Sequence, residues 1–192
     1  QVVRDSYVLM YCAKWLDSEE IISDSLPDHK SYYKKNPHCD KKVAESAWKL
    51  FDEADIIVAH NGDRFDIKWL RFIFLKHNMV PPSDYMTVDT LKQSRANFYL
   101  PTHSLDNLGK QLTNDRKMKH SGFDLWTGCM NGNEESWATM LEYCKQDVRL
   151  LEEVYLKILP YMKNHPNHGL YRTNLYDGTV CKNCGSNMLR SK

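Results

Sequence analysis

Apolar residues change their spacing several times along the chain, and each change marks an expected element. Residues 7–16 (YVLMYCAKWL) are dense in β-formers, Asp17-Ser18-Glu19 supplies a polar turn, and residues 20–25 can return as a second strand. That pattern predicts an antiparallel hairpin. Residues 28–40 are polar and contain Pro37, with Pro27 just ahead of them, so they read as loop. From 41 to 54, Val43, Ala47, Leu50 and Phe51 recur at helical spacing. Residues 55–60 are apolar without alternation, as in a strand covered on both faces. A short turn around Gly62 follows. The segment after Asp66 is then apolar nearly all round, broken by one polar stripe of Arg64, Lys68 and Arg71, which predicts a largely buried helix. Pro81-Pro82 ends the next connection, and residues 85–91 (YMTVDTL) predict a third core strand. Ser104 can cap a helix over Leu105–Leu112, and 113–133 reads as a long polar loop. Asn133 followed by Glu134 and Glu135 opens the last major helix. Val148, Leu151, Tyr155, Ile158 and Met162 form its expected buried stripe, and Pro160 helps to stop it.

Hairpin, helix, strand, helix, strand, helix, helix is an α/β order with a mixed sheet. With 192 residues, the chain has room for one domain and a small appendage. An apolar fraction of 42% and a charged fraction of 27% are ordinary for a globular protein. No apolar run approaches the ~20 residues that cross a bilayer, so no membrane partner is expected and the location is expected to be cytoplasmic or otherwise intracellular. The start, Gln1-Val2-Val3-Arg4, is neither a signal peptide nor an initiating methionine, and the chain is expected to begin inside a longer protein.

The net charge of +1 argues against broad coating of a nucleic acid but leaves room for a local phosphate-binding groove. Arg64, Lys68 and Arg71 read as a solvated face. Arg116, Lys117, Lys119 and His120 divide evenly between a solvated loop and phosphate contacts. Of the six cysteines, Cys12, Cys39, Cys129 and Cys144 read as reduced core thiols. Cys181-x-x-Cys184-Gly185 has the spacing of half a zinc ribbon. A second pair beyond Lys192, or His165 with His168, would complete a Zn2+ site there; the alternative is a tail with two free thiols.

Two stretches can carry chemistry. A-H-N-G-D-R-F-D, residues 59–66, lies where a strand gives way to a helix, the place where α/β sheets put their ligands. Tyr143 and Asp147 are four residues apart and share one helix face. Asp66 and Asp147 would supply hard oxygen ligands suited to Mg2+ or Mn2+. Each acid also has a plain reading: a helix cap for Asp66, a solvated acid for Asp147. Asp52-Glu53-Ala54-Asp55 spells a helicase string, but no phosphate-binding loop accompanies it, and it reads as chance.

His60-Asn61-x-x-x-Phe65-Asp66 resembles the second motif of the DEDD 3′→5′ exonucleases, and Tyr143-x-x-x-Asp147 resembles their third motif in its tyrosine variant. Val88-Asp89-Thr90-Leu91 and Ser104-Leu105 between them agree. The chain is similar, over roughly residues 6–162, to the exonuclease domain of family B DNA polymerases. The resemblance implies an RNase H-like fold over 1–163, a linker at 164–180 and a partial zinc-ribbon-like tail at 181–192. It implies two Mg2+ or Mn2+ ions about 3.5–4 Å apart at the scissile phosphate. Asp66 and Asp147 would serve the metals, Tyr143 would orient the attacking water, and His60, Asn61 and Phe65 would hold the terminal nucleotide. Asp89 would have at most a supporting place. The implied substrates are single-stranded DNA or RNA 3′ ends, with DNA favoured, and a polymerase or repair complex is an implied partner. The family's first motif, D-x-E on a central strand, has no match here except Asp17-Ser18-Glu19, which falls in a turn. The motif is therefore expected upstream of residue 1, and the chain as given is expected to be inactive without it. The rival expectation is a nucleic-acid-binding module that has lost catalysis.

Overall fold

The computed structural model describes residues 6–16, 18–113 and 122–166. The predicted hairpin forms: β1 (Met10–Lys14) and β2 (Ile21–Ser25) pair antiparallel from Met10↔Ser25 to Lys14↔Ile21. Alternation along β1 sends its side chains to two helices. The Tyr11 hydroxyl is 2.6 Å from Ser46 Oγ on α2 (Lys41–Glu53), while Lys14 ion-pairs with Glu152 on α7 (Glu134–Ile158). β3 (Ile56–Ala59) and β4 (Met86–Asp89) pair in parallel from Ile56↔Met86 to Ala59↔Asp89, with α3 (Asp66–Lys76) in the connection. Among the described residues the two pairs remain separate two-stranded sheets.

Three cores hold these layers together. Val43, Ala44 and Ala47 of α2 meet Ile73 and Phe74 of α3 and Met140 of α7 in the largest. Tyr155 and Ile158, at the far end of α7, pack with Val88, Ile56 and Val58 from the second sheet. Leu150 and Val154 receive Leu105 and Leu108 of α5 (Leu105–Leu112). α5 approaches so closely that a Cβ at Gly109 would lie 2.6 Å from Leu150 Cδ1. One long helix therefore contributes to all three cores.

Both predicted caps form: Ser104 Oγ accepts the Asn107 N–H at 3.3 Å, and Asn133 Oδ1 accepts the Ser136 N–H at 2.8 Å. Three helices lie where loop or strand was expected. α1 (Lys30–Lys35) follows a 3-10 turn at Leu26–Asp28, in which Asp28 Oδ2 accepts the Ser25 N–H at 2.9 Å. α4 (Thr90–Asn97) takes over the end of the expected third strand. α6 (Phe123–Met130) breaks the expected long loop, burying Leu125 and Cys129. Gly128 lets it approach α7, since a Cβ there would collide with Ser136 Oγ.

Burial also departs from expectation. β3 is only half-buried at every position. α3 buries Ile67, Ile73 and Phe74 but exposes Phe65, Trp69, Phe72 and Leu75 around its start and along it. On α7 the deepest residues are Leu150, Val154, Tyr155 and Ile158, because α5 packs against the first two; Val148 and Leu151 are half-buried. All four described cysteines are free thiols, but only Cys129 is fully buried. His165 is a core residue rather than an available zinc ligand: Nε2 is 2.8 Å from Tyr155 Oη and Nδ1 is 2.7 Å from the Pro166 carbonyl. Asp17, the 116–120 basic cluster, His168, Cys181 and Cys184 lie outside the described residues. Among the described residues no helix is long and apolar enough to cross a membrane.

Candidate active site

The parallel pair β3–β4 brings two loops to the same sheet end, and the turn after β3 is latched onto the start of α4. His60 Nδ1 lies 2.9 Å from Thr90 Oγ1, which in turn donates to the Ala59 carbonyl at 3.2 Å. The Asn61 N–H donates to Asp89 Oδ1 at 2.9 Å, and Lys92 Nζ to Asp63 Oδ2 at 2.6 Å. Burial alone would raise the Asp63 pKa, but hydrogen bonds from Lys92 and Thr87, with the charges of Lys92 and Arg71, outweigh it and hold the carboxyl below its usual range.

Within the turn, Asn61 has φ +64°, a left-handed conformation that asparagine tolerates better than most residues. Gly62 is required by space: a Cβ there would overlap Ala59 Cβ. Asn61 O accepts the Phe65 N–H at 3.2 Å and Gly62 O the Ile67 N–H at 3.0 Å, folding the chain directly into α3.

Asp66 is the first residue of α3, and no side chain caps that helix, so the cap reading of Asp66 fails. The residue as a whole is exposed, yet crowding around its carboxyl raises the pKa, and the nearby charge of Asp89 raises it further. Asp89 is 4% exposed. Its Oδ1 accepts from Asn61, Leu91 (3.0 Å) and Lys92 (3.3 Å), and its Oδ2 is buried with no hydrogen-bond partner. The residue expected to matter least thus joins the Asn61 turn, the α4 cap and the field at Asp66. A capping signature, an acid at a strand end followed by a helix start, was present in Val88-Asp89-Thr90-Leu91.

Tyr143 and Asp147 share a face of α7, as predicted, and both are half-buried. Tyr143 packs against the largest core. The Asp147 charge is felt by Cys144, whose thiol interacts with that of Cys12 on β1. This pairing, with burial and Asp147, pushes the Cys144 pKa up, while the same interaction and the Lys145 charge bring Cys12 below the ordinary thiol range. The α7 motif therefore sits against β1, whereas Asp66 and Asp89 sit at the end of β3 and β4. Among the described residues, no three His, Cys, Asp or Glu side chains converge closely enough to hold a metal ion.

Outside the turn, Arg64, Phe65, Asp66, Lys68 and Trp69 line a shallow depression of about 390 Å³.

The RNase_H_2 family model, of the RNase H superfamily, matches residues 6–159, and the chain belongs to that superfamily. Its mixed α/β architecture, with small sheets flanked by helices, is RNase H-like, and the membership points to nuclease-type hydrolysis of nucleic acid. No curated protein matches significantly.

Proposed function

We propose that the protein is a metal-dependent 3′→5′ exonuclease acting on single-stranded 3′ ends, DNA in the first instance. The observation that carries this reading is the latched turn. A strained asparagine, an exposed phenylalanine and a carboxylate of raised proton affinity are held together at the end of two parallel strands. Strain of this kind collects at functional sites. Asn61 and Phe65 bind the terminal nucleotide, its base against the Phe65 ring. His60 is held by Thr90 beside them. Tyr143 donates its hydroxyl hydrogen bond to the attacking water and so aims its lone pair at phosphorus.

The acids fit Mg2+ or Mn2+ in kind. They are hard oxygen donors, and a cation would relieve both the crowding at Asp66 and the unpartnered Oδ2 of Asp89. When bound, such ions activate water and stabilise the leaving 3′-oxygen. Asp66 and Asp147 hold them in this reading, with further acids from a D-x-E strand. The second reading is a non-catalytic nucleic-acid-binding module, for which the exposed Phe65, Trp69 and Phe72 would supply contacts.

Full-length protein with Mg2+ or Mn2+ and a 5′-labelled single strand separates the two. A descending ladder is the outcome for the exonuclease; an intact strand under either metal, with retained binding, is the outcome for the module. A zinc site at Cys181 and Cys184 is tested separately by metal analysis of the full-length protein and of its Cys181→Ser variant.

A further inference from the structure

Three aromatic residues, together with Leu75, are exposed at the start of α3 and along it. Phe65, at the helix start, is 58% exposed, Trp69 36% and Phe72 54%. Spaced i, i+4, i+7, they form one stripe, and at 1.5 Å rise per residue it runs roughly 10 Å from Asp66 down the helix. The Trp69 and Phe72 rings touch, with centroids 5.7 Å apart, and the Arg64 guanidinium sits 5.7 Å from the Phe65 centroid. Charge follows the same segment. Between Arg64 and Lys76 the chain carries Arg64, Lys68, Arg71 and Lys76, with Asp66 its only acid. Arg71 is committed to Tyr85, donating from Nε to the hydroxyl at 2.8 Å, whereas Lys68 and Lys76 are exposed and pair with no carboxylate among the described residues. Planar rings flanked by lysines fit stacked bases and a phosphate backbone.

We propose that Trp69 and Phe72, with Lys68 and Lys76, form a stacking platform for single-stranded nucleic acid upstream of the terminal nucleotide. The platform extends the Phe65 contact by about two bases. It deepens the exonuclease reading and rests on it for the polarity of the strand. Binding does not require hydrolysis, so the platform can be tested independently.

The test is fluorescence anisotropy of 5′-labelled (dT)10 with full-length protein in EDTA, where no strand is cut. Trp69→Ala and Phe72→Ala should each weaken binding about 5- to 100-fold, with circular dichroism unchanged because both side chains are exposed. Lys68→Glu should weaken binding and flatten its salt dependence. Leu156→Ala, an exposed apolar residue on α7, should leave affinity unchanged. The platform is overturned by failure of the wild-type protein to bind at low salt, or by (dT)10 affinity within twofold of wild type in the Trp69→Ala/Phe72→Ala double variant. It is also overturned by a concentration-dependent dimer that these substitutions dissolve without changing oligonucleotide affinity. Loss of binding in Trp69→Ala, together with a wild-type protein that never cuts DNA, supports the platform and sinks the exonuclease.

Discussion

Asp89 Oδ1 receives the Asn61 N–H at 2.9 Å, and by this bond the end of β4 sets the conformation of the turn after β3. The same oxygen caps α4, while Oδ2 remains buried without a partner and its charge reaches Asp66. Structure and chemistry can be separated at this residue. Asp89→Ala removes the cap and orphans the Asn61 N–H, and should cost about 1–3 kcal/mol in urea denaturation. Asp89→Asn keeps an Oδ1 acceptor and removes the charge. It should stay within about 1 kcal/mol of wild type yet lower nuclease activity about 10- to 100-fold, as supporting carboxylates at metal sites do. Full activity in a stable Asp89→Asn variant would confine Asp89 to scaffolding.

Gly62 and Gly109 should tolerate no side chain, for different reasons. At Gly62 a Cβ would overlap Ala59 Cβ, so Gly62→Ala must shift the turn that carries Asn61 and Phe65. At Gly109 the Cβ would meet the fully buried Leu150, prying α5 from α7. Each substitution should destabilise by about 1–3 kcal/mol, read as a lower urea midpoint. Only Gly62→Ala should also abolish nucleotide binding at the turn. A Gly109→Ala midpoint equal to wild type would contradict the close packing of α5 on α7.

The thiols should label in a fixed order. Cys12, whose pKa is lowered by the Cys144 interaction and Lys145, holds more reactive thiolate near neutral pH than an ordinary cysteine. Cys129, buried and raised in pKa, holds less. Iodoacetamide followed by peptide mass spectrometry should find Cys12 modified before Cys129. In Cys144→Ala, Cys12 labelling should require higher pH, because its partner is gone. An unchanged pH profile would remove the Cys12–Cys144 contact.

The elements legible in the sequence were those with their own local signals. α2 and α7 carried clear periodicity, β-formers around a polar turn marked the β1–β2 hairpin, an unbroken apolar run marked β3, and Ser104 and Asn133 announced the starts of α5 and α7. The short helices α1, α4 and α6 were not legible, because helices of six to eight residues are marginal alone and exist here through tertiary contacts. α6, for instance, depends on the space that Gly128 leaves for Ser136. Periodicity located α3 but misjudged its outer face, since an aromatic stripe has the same spacing in a core and on a binding surface. At the candidate site, the motifs pointed to Asp66, Asn61 and Phe65, all carried by the turn after β3 and the start of α3. The place of Asp89 needed the parallel register of Ala59 with Asp89, which no local pattern encodes.

The central claim, that Asp66 and Asp147 serve one hydrolytic centre, is tested most directly by the full-length protein on a 5′-labelled single strand with Mg2+ or Mn2+. Asp66→Asn and Asp147→Asn should each abolish the descending ladder while leaving the urea midpoint and EDTA-state strand binding near wild type. Tyr143→Phe should slow the ladder more mildly. A full-rate ladder from a folded Asp147→Asn or Asp66→Asn variant would contradict the account.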